Sequence, residues 1–422
     1  MTANVEQRDV PGLVDHLFRR EAGKLVAYLT RLFGLGRLHL AEDVVQDSLD
    51  QALQTWSTQG LPDNPSAWLR RVARNRAIDL IRRDDHFRDL TPQLTSLQQA
   101  ERSPSEPALE REVPDDELRM MFACCHPGLS TEVQITLILK TLCGFSVAEI
   151  ASALLASEDA IEKRLGRARK FLREAGTFEE LTNPPDLAGR VEAVYQAIYL
   201  LFNEGYHGSQ SERTVREDLC YEALRLALLL TEHPAGARPR TFALVALFCF
   251  DAARLRGRVD AAGCLIPLEQ QDRSTWNQDL VVQGFRYLSQ AASDTDLSAY
   301  HLEAGIAALH SSAESYERTD WTRIVELYDR LYDVKPTPIV ALNRAIAMGQ
   351  AHGPAAGLRA LETIPALPAL REYPFYPAAQ GEFHRLAGHI GEARACFERA
   401  LRLARNPSEA RSLERKLKAL QI

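Results

Sequence analysis

The run FSVAEIASALLASEDAIEKRLGRARKFL, Phe145 to Leu172, leaves this chain little freedom of fold. Ile161, Leu165, Ala168 and Leu172 recur at the three-to-four spacing of one helical face, while Lys163, Arg164, Arg167, Lys170 and Arg173 lie off that stripe. Such a helix packs on one side and offers a basic side to solvent or to a partner. Ile150, Ala151 and Leu154 mark a shorter helix just before it, Ala148 to Leu154. Ser157 supplies an N-cap for the second helix, and Glu158 and Asp159 complement the positive end of its dipole. Two helices around a tight break, the second basic, predict a helix-turn-helix whose second helix enters a DNA major groove, where Arg and Lys reach guanine edges or phosphates. The competing reading is a solvated basic face on an ordinary amphipathic helix.

The same periodicity recurs along the whole chain, and no series of alternating strands is visible, so the expected class is all-α. At 422 residues the chain exceeds one typical core, and about two to four domains are expected. Residues 10–85 read as a first helical unit, with helices near Val14 to Phe33, Ala41 to Trp56 and Pro65 to Arg83, the last opened by Asn64-Pro65. Residues 86–113, rich in Gln, Ser, Glu and Pro, read as a flexible linker, and 114–175 as a second unit ending in the helix-turn-helix. Residues 176–189 form a second linker before a helical remainder, 190–422. There the spacing of Gly381, Gly388, Ala393, Phe397 and Ala400 matches the small and aromatic positions of a tetratricopeptide repeat. A generic helical bundle remains the alternative for 186–320, where no period is visible.

A net charge of −7 argues against a protein that coats nucleic acid indiscriminately. Basic charge is focused instead on the helix-turn-helix and on Leu69 to Arg83, which holds Arg70, Arg71, Arg74, Arg76, Arg82 and Arg83 against Asp79. The longest apolar run, Phe242 to Phe250, fits a buried helix rather than a membrane span. The start lacks a basic and apolar leader, and seven scattered cysteines suit a reducing compartment, so a cytoplasmic location without membrane contact is expected.

In the helix AEDVVQDSLDQALQTW, Asp43, Gln46, Asp47 and Asp50 share neighbouring rows of one face, with Val44, Leu49, Ala52, Leu53 and Trp56 facing inward. The next helix, NPSAWLRRVARNRAIDLIRRD, interleaves Trp68, Leu69, Val72, Ala73, Ala77, Leu80 and Ile81 with its arginines, the pattern of a helix that packs on one side and tracks phosphate on the other.

Taken in order, these helices, a linker and a helix-turn-helix resemble the extracytoplasmic-function (ECF) sigma factors of bacterial RNA polymerase. AEDVVQDSLDQAL resembles sigma region 2.2, which implies that Asp43, Gln46, Asp47 and Asp50 bind the clamp helices of the polymerase largest subunit. NPSAWLRRVARNRAIDLIRR resembles regions 2.3 and 2.4, which implies that Trp68, Arg71, Arg74, Asn75 and Arg76 capture the −10 element, Asn75 at a position where the family often contacts a base. VQITLILKTLCGFSVAEIASALLASEDAIEKRLGRARKFL resembles region 4, which implies that Ser157, Lys163, Arg164, Arg167 and Lys170 meet the −35 element and that this unit docks on the flap of the second-largest subunit. Glu162 departs from the family, where this position is often basic or neutral.

The segments MMFACCHPGLS, LLFNEGYHGS, REDLCYEALRLALLL, LEQQDRSTWN and VALNRAIAM extend the resemblance to a subgroup with a tetratricopeptide-like C-terminal extension. The subgroup implies that the extension controls activity in place of a separate anti-sigma factor, with a YCII-related protein as a possible partner of the repeats. No enzymatic activity, cofactor or metal is expected. An enzyme could use Cys124, Cys125 and His126, or the run Asn203-Glu204-Gly205-Tyr206-His207; but adjacent cysteines suit one tetrahedral metal poorly, and the run reads as a helix end closed by Gly205. A helix-turn-helix activator with a sensor domain is the other alternative, and it leaves the first unit unexplained.

Overall fold

The computed structural model describes residues 10–83, 116–154, 156–174, 187–206, 215–260, 264–292, 297–364, 370, 372–405 and 407–420. The expected linker 86–113 and residues 176–186 of the second linker lie outside them, as does His207. The chain divides into two compact units, Met1–Ile198 and Tyr199–Ile422.

In the first unit α1 (Val10–Phe33), α2 (Leu38–Gln59) and α3 (Pro65–Arg83) pack on one another, with a 3-10 turn, Leu35–Arg37, between the first two. Gly34 and Gly60 take φ of 85° and 81°, left-handed values at which a side chain is strained, and so end α1 and α2 sharply. The Asn64 side chain accepts a hydrogen bond from the Ala67 amide at 3.0 Å, and Pro65 follows at the first helical position, as the Asn-Pro pair predicts. Val44, Ala52, Leu69 and Ala73 are fully buried, and Trp56 meets Trp68 edge-to-face with ring centroids 5.4 Å apart.

Residues 116–124 form α4, followed by α5 (Thr131–Thr141), α6 (Val147–Ala153) and α7 (Glu158–Glu174). A capping box that the sequence reading overlooked starts α6: the Glu149 amide donates to Ser146 Oγ at 3.2 Å and the Ser146 amide to Glu149 Oε2 at 2.7 Å. Ser157 caps α7, its Oγ accepting from the Ala160 amide at 3.3 Å. Ile150, Ile161, Ala168 and Leu172 are fully buried, so the stripe is the packing face of the pair. These four helices belong to the same compact unit as α1–α3. At Gly23 a side chain would meet the Leu142 carbonyl oxygen at 2.1 Å, so α1 lies directly on the turn after α5. Arg31 Nε pairs with the buried Asp116 at 2.8 Å. The next helix, α8 (Leu187–Tyr206), begins inside the expected second linker, and its Arg190 donates to the Phe122 carbonyl at 3.2 Å.

The second unit continues through α9 (Glu217–Thr231), α10 (Pro239–Ala253), α11 (Gln278–Ala291), α12 (Ala299–Ser312), α13 (Trp321–Val334), α14 (Pro338–His352), α15 (Pro354–Glu362), α16 (Phe375–Leu386), α17 (Ile390–Arg402) and α18 (Pro407–Ala419). The apolar run predicted to be a buried helix is α10, whose Ala243–Ala246 and Phe248–Phe250 stretches are fully covered. Beyond it each helix packs mainly on its neighbours in sequence, and the core is a succession of small clusters rather than one nucleus. Gly349 and Gly357 leave room for the Phe383 ring, and Gly381 leaves room for Phe397, which is buried with Ala393 and Ala400. Gly388, at φ 80°, makes the turn between α16 and α17. Among the described residues the only β-pairing is an isolated bridge, Val259 with Leu265.

Candidate nucleic-acid interface

The outer face of α7 carries Lys163, Arg167 and Lys170, all exposed. Lys163 pairs with Asp159 one turn earlier at 2.7 Å, and Arg167 Nε lies against its own helix, 3.3 Å from the Lys163 carbonyl. Both contacts are local and solvent-screened, so water or phosphate exchanges for them at little cost. Between them Gly166 has open space where a side chain would stand, which allows a close backbone approach. Arg164 is held differently: its Nη2 sits 2.7 Å from Glu132 on α5, which turns this guanidinium toward the protein. Arg169, which the sequence reading passed over, bridges to α2 by donating to Glu42 at 2.8 Å and 3.1 Å. No local signal marked it, because Arg167 stands just as near the buried Ala168 and stays at the surface.

On α3, Arg71 and Asn75 are exposed, whereas Trp68 and Arg74 are half-buried. Arg76 makes a forked contact with Asp47, Nε at 2.9 Å and Nη2 at 2.7 Å, so it ties α3 to α2. On α2, Asp43 accepts from His39 at 2.7 Å, and Gln46 and Asp50 are exposed. Gln46 and Asp50 line a cleft of about 320 Å³ together with Glu42, Lys140, Thr141 and Gly144. Leu53 corrects the sequence reading: expected inside, it is 48% exposed and lines the same cleft. It stands three residues after Asp50 and seven after Gln46, which puts an apolar side chain on the acidic face. The carboxylate of Glu42 is pushed above its usual range, burial outweighing the attraction of Arg169.

Cys124 and Cys125 are fully buried, and burial pushes the Cys124 thiol up to about 12. Cys124 lies 3.8 Å from the Thr141 hydroxyl of α5, and Cys125 is buried in the turn just after α4. Thiols held protonated in this way are poor nucleophiles and poor metal ligands. In the second unit Gly205 lies inside the last turn of α8, where a side chain would meet the Arg216 carbonyl at 2.8 Å, and its own carbonyl accepts from the Arg216 amide at 2.8 Å. The described part of the Asn203–His207 run is thus a close helix–helix junction. No helix of the described residues is long and apolar enough to cross a membrane.

Residues 17–87 match Sigma-70 region 2, and residues 119–172 match Sigma-70 region 4. The chain carries sigma-70 regions 2 and 4. Region 2 spans α2 and α3 with their exposed Arg71 and Asn75, and region 4 ends at Leu172 on the helix-turn-helix, so both matches fall on the faces described above. These are the domains of a non-enzymatic family that implies promoter recognition with RNA polymerase. Residues 190–292 match a family of unknown function, DUF6596, covering α9–α11 and most of α8. An uncharacterized protein of Rhizobium meliloti (strain 1021) is 39% identical over 376 residues, 88% of each chain, and the two belong to one family. The ECF RNA polymerase sigma factor SigL of Mycobacterium tuberculosis is 33% identical over 173 residues, 40% of this chain and 90% of SigL. The ECF RNA polymerase sigma factor SigG of the same organism is 27% identical over 209 residues, 43% of this chain and 54% of SigG. No solved structure matches the chain.

Proposed function

We propose that the chain is an ECF-type sigma factor that joins core RNA polymerase and directs it to promoters with two separated elements. The observation that carries this reading is the pair of sigma regions in family order, each with an exposed basic helix face. In the proposed complex Lys163, Arg167 and Lys170 face the −35 element. Arg164 joins them once its contact with Glu132 is given up, and Ser157 fixes the start of the reading helix. Arg71, Arg74 and Asn75 hold the −10 strand, supported by Trp68 and by Arg76. Asp43, Gln46, Asp47 and Asp50 meet the clamp helices, and region 4 meets the flap. The cytoplasm, where polymerase works, is the location that follows.

The same proposal gives the C-terminal unit, 190–422, a regulatory role as a tetratricopeptide-like stack. Its support is the neighbour-on-neighbour helix packing and the way Gly381, Ala393, Phe397 and Ala400 pack together at repeat spacing. A YCII-related protein remains a family-based candidate for its partner.

The experiment is assembly. Mixed with core polymerase, the chain should co-elute in a single complex that binds promoter DNA more tightly than either component does alone. Separate elution at micromolar concentrations of both would overturn the reading.

A further inference from the structure

The second unit carries a half-open cavity of about 370 Å³ that nothing in the sigma reading uses. Its volume lies within the range of small-molecule sites, about 300–1,000 Å³. The inner faces of α13, α14 and α16 form its walls, with the end of α12, Lys416 of α18 and the segment Pro267–Glu269 at its edges. Trp321, Tyr328, Phe375 and Phe383 supply aromatic surface, and Ala347, Ala378 and Ala379 keep the space open.

The polar groups around it are mostly unused. Among the described residues the hydroxyls of Tyr316 and Tyr328 and the carboxamides of Asn343 and Gln350 have no hydrogen-bond partner, and His310 Nδ1 is buried without one. Of these only His310 Nδ1 is a buried orphan, which costs stability and calls for an explanation; Asn343 is exposed and Tyr316, Tyr328 and Gln350 are half-buried, so their polar ends are open to water or to a ligand. All five groups are neutral. Burial and the nearby Arg254 and Arg273 push the His310 imidazole down to about 3, and burial pushes both phenols up. The charged groups are accounted for differently. Glu382 takes Lys416 at 2.7 Å and also Arg385, so neither cation is free to hold an anion, and Glu269 at the rim repels one.

We propose that this cavity binds an uncharged aromatic molecule bearing both hydrogen-bond donors and acceptors, its ring against Trp321 and Phe383 and its polar edge on Tyr328, Asn343 and Gln350. The segment Pro267–Glu269 connects the site to the rest of the unit. A few residues on, Arg273 donates to the carbonyls of Ala313, at 2.9 Å, and of His310, and stacks over Trp276 at 4.8 Å. His310, which lines the cavity, is thus tied through its carbonyl to the turn at Arg273–Trp276. The inference stands independently of the sigma reading.

The test uses the full chain and three indoles of nearly equal size: tryptophol (uncharged), tryptamine (cation) and indole-3-propionate (anion), with binding read by calorimetry and ligand-observed NMR. Tryptophol should bind with Kd no weaker than about 1 mM, and about tenfold or more tighter than indole-3-propionate. Gln350→Leu and Tyr328→Phe should each weaken tryptophol about three- to tenfold while leaving Tm unchanged, because neither polar group makes a hydrogen bond that holds the fold. No tryptophol binding at millimolar concentration, charged indoles binding as tightly as tryptophol, or binding indifferent to both substitutions would each overturn the proposal.

Discussion

Arg169 donates both of its hydrogen bonds to one oxygen of Glu42, Nη2 at 2.8 Å and Nε at 3.1 Å, and the other oxygen, Oε1, is buried with no partner. The pair joins the reading helix of region 4 to the acidic helix of region 2, so the two promoter-facing regions form one body. Elements centred at −10 and −35 lie about 85 Å apart along B-form DNA, at roughly 3.4 Å per base pair. A compact body of this size is about 40 Å across. On the proposed reading, in which region 2 takes one element and region 4 the other, this contact must open for both to be held at once.

The Glu42 carboxyl sets how the contact responds to charge. Its folded value is raised above 4.5 by burial, so the closed form binds a proton more readily than an open form with Glu42 in water. Closure is accordingly favoured as pH falls through the window just above 4.5, and this contribution is lost as pH rises through the raised value. Glu42→Gln should hold the closed form at least as well at neutral pH. Arg169→Ala, which leaves a half-buried carboxylate alone, should weaken closure by about 1–3 kcal/mol after discounting for exposure. Spin-label distances between Gln51 and Glu174, both exposed, read the outcome: longer distances for Arg169→Ala and not for Glu42→Gln.

Gly23→Ala tests the closed arrangement at a second contact, without touching charge. The added carbon would stand 2.1 Å from the Leu142 carbonyl oxygen, so α1 and the turn after α5 must separate. The same label pair should lengthen, while the helical content by circular dichroism stays constant.

Arg167 and Arg164 should separate in function. Arg167→Ala should cost about 1–3 kcal/mol in promoter binding by the assembled complex and relax base preference at one position. Arg164→Ala removes a screened contact with Glu132 and a DNA-facing cation that must first leave it, so it should weaken promoter binding less than Arg167→Ala, by no more than about 1 kcal/mol. Competition binding against single-base variants of the promoter measures both.

Leu53→Glu should weaken assembly with core polymerase without lowering Tm. The residue is 48% exposed beside Gln46 and Asp50, so its apolar surface contributes little to the isolated fold and is available to a partner. Calorimetric titration of core enzyme and a thermal melt of the free chain give the two readings.

Much of this was legible because helical spacing is a strong local signal. The stripe through Ile161, Leu165, Ala168 and Leu172, the caps at Asn64 and Ser157, and the buried α10 all follow from three-to-four periodicity and capping chemistry. Tertiary pairing was not legible. Nothing in the local pattern tells Arg164 and Arg169, which fold back onto Glu132 and Glu42, from Lys163 and Arg167, which stay at the surface. Leu53 was misplaced for the same reason: its spacing from Leu49 fits an inward stripe, but the buried row continues through Ala52 and Trp56 and passes beside it. The cavity was invisible because it is assembled by the tertiary stacking of side chains spread from Pro267 to Lys416.

Run-off transcription on a pool of genomic fragments tests the central claim most directly. Core polymerase supplemented with this chain alone should yield transcripts from discrete start sites that core enzyme without it does not produce. Transcripts that require a second specificity subunit, or none above the level of core enzyme, would contradict the assignment of promoter recognition to this chain.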